Sequence, residues 1–72
     1  MQKNLDKYDL SNSEISFLID QWIRNARDRA ILKDRLINGM TFERLAEKHD
    51  MSVRQTKNIV YKSTERLISH IK

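Results

Sequence analysis

The side chains best suited to chemistry lie in the last third of the chain, where helical spacing after Ser52 gathers polar groups on one face. These groups belong to Arg54, Gln55, Lys57, Asn58, Tyr61 and Lys62. An arginine can donate a pair of hydrogen bonds to guanine, and a glutamine or asparagine amide can pair with adenine. Val53, on the first turn, can contact the methyl group of thymine. These residue types indicate contact with the base edges of a nucleic acid.

The formal charge is concentrated in the same part of the chain. Residues 1–52 carry nine Lys or Arg and nine Asp or Glu, so their charges balance. Residues 53–72 carry five basic residues against Glu65 alone, and they account for the whole net charge of +4. A basic excess at one end favours an anionic partner, for which nucleic acid is the usual candidate. Charge alone would suit a solvated basic tail equally well, so the helical spacing decides between the two.

The composition gives little support to an enzyme, a metal site or a membrane protein. The chain has no cysteine, its two histidines lie far apart, and its single glycine cannot form a phosphate-cradling loop. The serines lack the glycine-flanked turn and the base that a nucleophile needs. We therefore expect no enzyme, no cofactor and no metal. No apolar run approaches the roughly 20 residues of a membrane span, and residues 1–14 do not resemble a secretory signal. A cytoplasmic protein is expected.

Capping residues and apolar spacing predict four helices in a chain that has no proline. The predicted caps are Ser11 with Glu14, Asn25, Thr41, and Ser52 with Gln55, the two pairs having capping-box spacing. The helices are expected over 12–24, from Asn25 to a stop at Asn38-Gly39, over 42–48 and over 52–71. Residues 1–10 show no sustained period and are expected to form a flexible arm.

An apolar stripe on each helix is predicted to face the core. Its residues are Ile15, Leu18, Ile19, Trp22, Ile31, Leu32, Leu36, Phe42, Leu45 and Ala46, followed in the last helix by Thr56, Ile59, Val60, Ser63, Leu67 and Ile71. Trp22 is expected in the core or at a dimer surface. His49 is expected to cap the end of the third helix, since cations suit helix C-termini, and His70 is expected to be exposed.

The third and fourth predicted helices meet the steric demands of a helix-turn-helix. Its first helix needs a small residue where the second helix crosses it, and Ala46 supplies one. The turn commonly contains glycine with a positive φ, and Asp50 holds that place, which aspartate tolerates better than most residues. Met51 is expected beneath the turn, and Ile59 is expected to anchor the second helix. Thr56 stands where an aliphatic residue is commoner, so its hydroxyl needs a hydrogen-bond partner.

Residues 28–68 resemble the fourth conserved region of bacterial sigma factors, which reads the promoter −35 element. The similar features are the Asp-Arg-x-Ile-Leu helix, the Gly-x-Thr turn into Phe-Glu-Arg-Leu-Ala, and the Ser-x-x-x-Thr-Lys-x-Ile helix. The resemblance implies an all-α, four-helix domain over 11–72, with a helix-turn-helix over 41–63 and a recognition helix over 52–71. Because the polymerase-binding and −10-reading regions of a sigma factor are lacking, the chain resembles the stand-alone sigma-like regulators of phages and mobile elements.

The resemblance, together with the side-chain chemistry, implies a division of labour in binding double-stranded DNA. A recognition helix enters the major groove with its first turns against the bases. The expected base contacts are Val53, Arg54, Gln55, Lys57 and Asn58. Phosphate contacts position a protein without reading sequence, and they are expected from Thr41, Arg44, Lys48, Tyr61 and Lys62. Tyr61 is equally suited to packing at the helix edge. The function expected is sequence-specific regulation of transcription.

Two alternatives concern protein partners. The same fold could serve as a protein-interaction module that binds RNA polymerase or another regulator and has little affinity for DNA. The hydrogen-bonding groups after Ser52 argue against it, because the core of a protein interface favours aromatic or aliphatic anchors. A homodimer could also form through the Trp22 stripe or through the end of the last helix near Leu67 and Ile71.

Overall fold

The computed structural model describes residues 9–71, and within this range the chain forms four α-helices and no strand. The helices are α1 (Asn12–Trp22), α2 (Ala26–Leu36), α3 (Phe42–Lys48) and α4 (Val53–Ser69). The prediction of an all-α, four-helix fold is confirmed. No helix in this part of the chain combines the length and the apolar character that crossing a membrane requires.

Each helix begins at the cap that the sequence predicts. The hydroxyl of Ser11 accepts from the Glu14 N–H, and the Glu14 carboxylate accepts from the Ser11 N–H at 2.9 Å, so the capping box is complete. Ser52 and Gln55 form a second box at the start of α4. Asn25 accepts from two backbone N–H groups of α2, and Thr41 accepts from the Arg44 N–H. These bonds satisfy donors that a helix N-terminus leaves free.

The ends of the first and last helices differ from their predicted positions. Helix α1 ends at Trp22, two residues early, because Ile23 is extended with φ −105° and ψ 112°. The Arg29 guanidinium donates to the carbonyls of Ile23 at 2.9 Å and Arg24 at 2.6 Å, and these bonds stabilise the extended link. Helix α4 ends at Ser69, and His70 is its C-terminal cap.

The core is a single cluster at the centre of the four helices, and α4 packs against each of the other three. Its buried members are Ile15, Ile19, Ile23, Ile31, Leu32, Leu45, Val60, Leu67 and Ile68. The predicted inward face of α4 is too narrow. Thr64 and Ile68 are buried, whereas Ser63 and Ile71 are half-buried, because neighbours on several sides cover a wider arc of the helix.

Trp22 lies at the edge of the molecule rather than in the core. It is 37% exposed, and its ring stacks on His70 with a centroid distance of 3.7 Å and an interplanar angle of 3°. His70 is otherwise exposed, as predicted. The stack joins the end of α1 to the end of α4.

The predicted flexible arm over residues 1–10 lies outside the described residues except for its last two. Asp9 has a positive φ of 52°, and Leu10 is partly buried against the core.

Candidate nucleic-acid interface

The turn between α3 and α4 is a short, hydrogen-bonded connection. Asp50 has a φ of 54°, so it adopts the left-handed conformation predicted for it. The Met51 N–H then donates to the Ala46 carbonyl at 2.9 Å. Ala46 is buried and Met51 is half-buried against the core. These contacts fix where α4 begins relative to α3.

The first turns of α4 are anchored by a threonine. Thr56 is fully buried, and its hydroxyl donates to the Ser52 carbonyl at 2.9 Å. The hydroxyl thus has the hydrogen-bond partner that its predicted burial requires. Ile59 and Val60 pack in the same layer. Because Thr56 faces inward, Arg54 and Asn58, each two positions away, lie on the opposite, exposed side of the helix.

The predicted base-contacting residues lie on this exposed side, but one of them is half-buried and another is hydrogen-bonded to the helix cap. Arg54, Gln55, Lys57 and Asn58 are exposed, and Val53 is half-buried. The side-chain Oε1 of Gln55 accepts from the Ser52 N–H at 3.3 Å, so this side chain is partly committed to the helix cap. The side chains of Arg54 and Asn58 make no hydrogen bond to another of residues 9–71 and are free to engage a ligand.

The basic residues of α4 have no acidic partner among the described residues. No carboxylate oxygen of residues 9–71 lies within 4.0 Å of the charged groups of Arg54, Lys57, Lys62 or Arg66. By contrast, Lys33 pairs with Asp20 at 2.8 Å, and Lys48 pairs with Asp34 at 2.7 Å. Five cations on α1–α3 and their links, namely Arg27, Arg29, Lys33, Arg35 and Lys48, are paired with a carboxylate or bonded to backbone carbonyls, and the unpaired positive charge is densest on α4.

The predicted phosphate contacts are in different environments. Arg44 and Lys62 are exposed and without a carboxylate partner in the described range. Thr41 is exposed, and its oxygen caps α3 while its O–H can still donate. Tyr61 is half-buried and meets the Phe42 ring edge to face, with centroids 5.9 Å apart. Lys48 is the residue whose ammonium group is already bound, by Asp34.

Asp34 is a buried carboxylate that the sequence pattern alone does not single out. It is 8% exposed and accepts from the Lys48 ammonium group at 2.7 Å and the Asn38 amide at 3.1 Å, with His49 Nε2 at 3.4 Å. The hydrogen bond from Lys48 is the main reason that the pKa of Asp34 lies below its ordinary value, and burial opposes the shift. Its position three residues after Ile31 places it on the inward face of α2, and this spacing is the one feature of the sequence that indicates a buried Asp34. His49 is the C-terminal cap of α3, as predicted.

Phe42 links α2, α3 and α4 on the outer side of the turn. The Arg35 guanidinium lies 4.2 Å from the Phe42 ring centroid, and Arg35 also donates to the Met40 carbonyl at 2.8 Å. Lys57 Nζ lies 5.7 Å from the same ring. A cation over an aromatic face is attracted by the ring quadrupole. The contact holds Lys57 toward α3, at one edge of the exposed side of α4.

Comparison with known proteins gives no guide to this surface. No family model, no curated protein and no solved structure matches the chain. The resemblance to sigma factor region four therefore remains a prediction from the motifs.

Proposed function

We propose that the protein binds double-stranded DNA and regulates transcription, with the N-terminal half of α4 in the major groove. The observation that carries the proposal is the exposed side of α4, where Lys57, Lys62 and Arg66, without acidic partners among residues 9–71, accompany the free side-chain donors of Arg54 and Asn58. The resemblance to sigma factor region four supports it. We further propose that the protein is not an enzyme and acts in the cytoplasm, as a sigma-like regulator of the phage or mobile-element type.

In this proposal the side chains divide between the bases and the phosphates of the duplex. Arg54 donates to guanine, Asn58 pairs with adenine, and Val53, Gln55 and Lys57 complete the contact with the bases. Arg44 and Lys62 bind phosphates on either side. Lys48 can join them only if its ammonium group leaves Asp34, so its contribution to DNA affinity is expected to be the smallest of the three cations.

The experiment is selection of bound sequences from random duplex DNA, followed by affinity measurements against salt. A discrete enriched motif is expected. Arg54→Ala should weaken binding to that motif by about 1–3 kcal/mol and relax one position in it. Lys62→Ala should weaken binding to all sequences alike and reduce the log–log salt slope by about 0.9. Equal losses on every sequence from both variants would contradict the assigned roles.

A second candidate function has one observation in its favour. Phe17 is 64% exposed beside a groove of about 380 Å³ lined by Leu10, Leu18 and Ile71. Exposed apolar patches often mark protein contacts. In this alternative the protein contacts RNA polymerase or another regulator through α1 and has little DNA affinity of its own. Phe17→Ser would then abolish activity in the cell, whereas Arg54→Ala would leave it unchanged.

A further inference from the structure

A second groove lies between the link from α1 to α2 and the C-terminal half of α4. Its volume is about 610 Å³. Its lining consists of Ile23, Arg24, Asn25 and Asp28 on one wall and Lys62, Ser63, Glu65 and Arg66 on the other. The groove is open to solvent, and seven of its eight lining residues carry a polar or charged group, so it suits an extended charged ligand.

Among residues 9–71, the cationic and amide donors that line this groove have no acceptor. Arg24, Lys62 and Arg66 have no carboxylate oxygen from the described part of the chain within 4.0 Å. The amide nitrogen of Asn25 makes no hydrogen bond, since only its oxygen caps α2. Two carboxylates also line the groove, but one of them, Asp28, already lies 3.5 Å from the Arg27 guanidinium. Three unpaired cations therefore face a single unpaired carboxylate, Glu65, which favours an anionic ligand.

The position of the groove along α4 matches the position of a DNA backbone. A helix rises about 1.5 Å per residue, so Lys62 and Arg66 lie roughly 12 and 18 Å along the axis from Arg54. The major groove is about 8.5 Å deep. When the first turns of α4 touch the bases and its axis is inclined out of the groove, its third and fourth turns therefore reach the rim of the groove, where the sugar-phosphate strand lies.

We propose that this groove binds the phosphate backbone of the same duplex, with Arg24, Asn25 and Arg66 joining Lys62 as phosphate contacts. The inference rests on the proposed function and extends it, because it makes the link between α1 and α2 part of the DNA-binding surface. The backbone is held on one side by this link and on the other by α4, which fixes the depth to which Arg54 enters the major groove.

The test compares the salt dependence of duplex binding for Arg24→Ala and Arg66→Ala with that of the wild type. Each removed phosphate contact should reduce the log–log slope by about 0.9 and lower affinity about fivefold at 0.15 M salt, equally for selected and unrelated duplexes. Lys33→Ala is the control. Lys33 is a cation of α2 that pairs with Asp20 at 2.8 Å, and neither residue lines the groove. Its slope should equal that of the wild type.

The outcomes separate this inference from the proposed function. If Arg24→Ala and Arg66→Ala keep the wild-type slope while Arg54→Ala still loses the selected motif, the groove does not hold DNA and the major-groove proposal stands. An altered motif in Arg24→Ala would assign that side chain to a base, which also overturns the inference. If the wild type binds no duplex, both proposals fall. Unchanged far-ultraviolet circular dichroism establishes that each variant is folded; Arg29 bonds to the carbonyl of Arg24, which alanine retains.

Discussion

At the scale of single residues, Asp34 connects stability to the placement of the binding surface. Its three neighbouring donors come from Asn38 after α2, from Lys48 at the end of α3, and from His49 at the cap of α3. The turn that leads into α4 starts at His49. A carboxylate that accepts several hydrogen bonds, one of them charged, holds its neighbours more firmly than a neutral pair would. Asp34 therefore fixes the end of α3, and through it the start of α4.

Replacing Asp34 with asparagine tests this connection. The amide retains one acceptor but loses the charge, so Asp34→Asn should lower the free energy of unfolding by about 1–3 kcal/mol at pH 7. Urea denaturation followed by Trp22 fluorescence measures the loss. Asp20→Asn is the control, because Asp20 forms an exposed pair with Lys33, and such pairs contribute about 0–1 kcal/mol. A loss for Asp34→Asn no larger than for Asp20→Asn would contradict the account.

The same carboxylate predicts how stability depends on pH. Because its pKa in the folded protein lies below the ordinary 3.8, the stabilisation is fully present above pH 3.8 and is lost as the pH falls through the lowered pKa. The wild type and Asp34→Asn should therefore converge in stability in acid. A difference between them that stays constant from pH 7 to pH 2 would show that the carboxylate's charge is not involved.

The sequence predicted the roles of residues with a local signature better than those with distant partners. Thr56 could be recognised as a hydroxyl in need of a partner, and its partner, the Ser52 carbonyl, lies one turn away. Asp34 and Lys48 are 14 positions apart, and their pairing depends on how α2 packs against α3. Helical spacing places Lys48 on an exposed face but carries no information about a buried carboxylate nearby. The sequence therefore predicts a phosphate contact for Lys48.

At the scale of the elements, the caps and the turn determine where each helix begins. All four predicted caps occur, since a cap is a contact within three residues that the sequence displays directly. The ends of α1 and α4 were misplaced by two residues. Those ends depend on tertiary contacts, such as the bonds from Arg29 that hold the link after α1 extended.

Asp50 provides a prediction at this scale. A left-handed conformation costs a residue with a Cβ about 1–2 kcal/mol, and aspartate pays less of that than alanine does. Asp50→Ala should therefore destabilise the protein by about 1 kcal/mol, whereas Asp50→Gly should be as stable as the wild type or slightly more so. Thermal unfolding of the two variants measures the difference. Equal melting temperatures for both would mean that the turn relaxes away from the positive φ.

At the scale of the whole molecule, charge and apolar surface are separated along α4. The unpaired cations run from Arg54 to Arg66, while the exposed aromatic Phe17 and the Trp22–His70 stack lie on α1 and at the C-terminal end of α4. The sequence predicted the charge asymmetry from composition alone. It did not predict the groove beside Arg24, because that groove joins residues about 40 positions apart and exists only once α1, α2 and α4 have packed.

The most direct measurement is a nuclear magnetic resonance titration of the labelled protein with duplex DNA, following each backbone amide. The account predicts that the largest shifts occur over residues 52–58, with smaller shifts at Arg44, Lys62 and Arg24 and none around Phe17. Shifts centred on Phe17 and Leu18, or no shifts at low salt, would contradict the claim that the exposed side of α4 binds DNA.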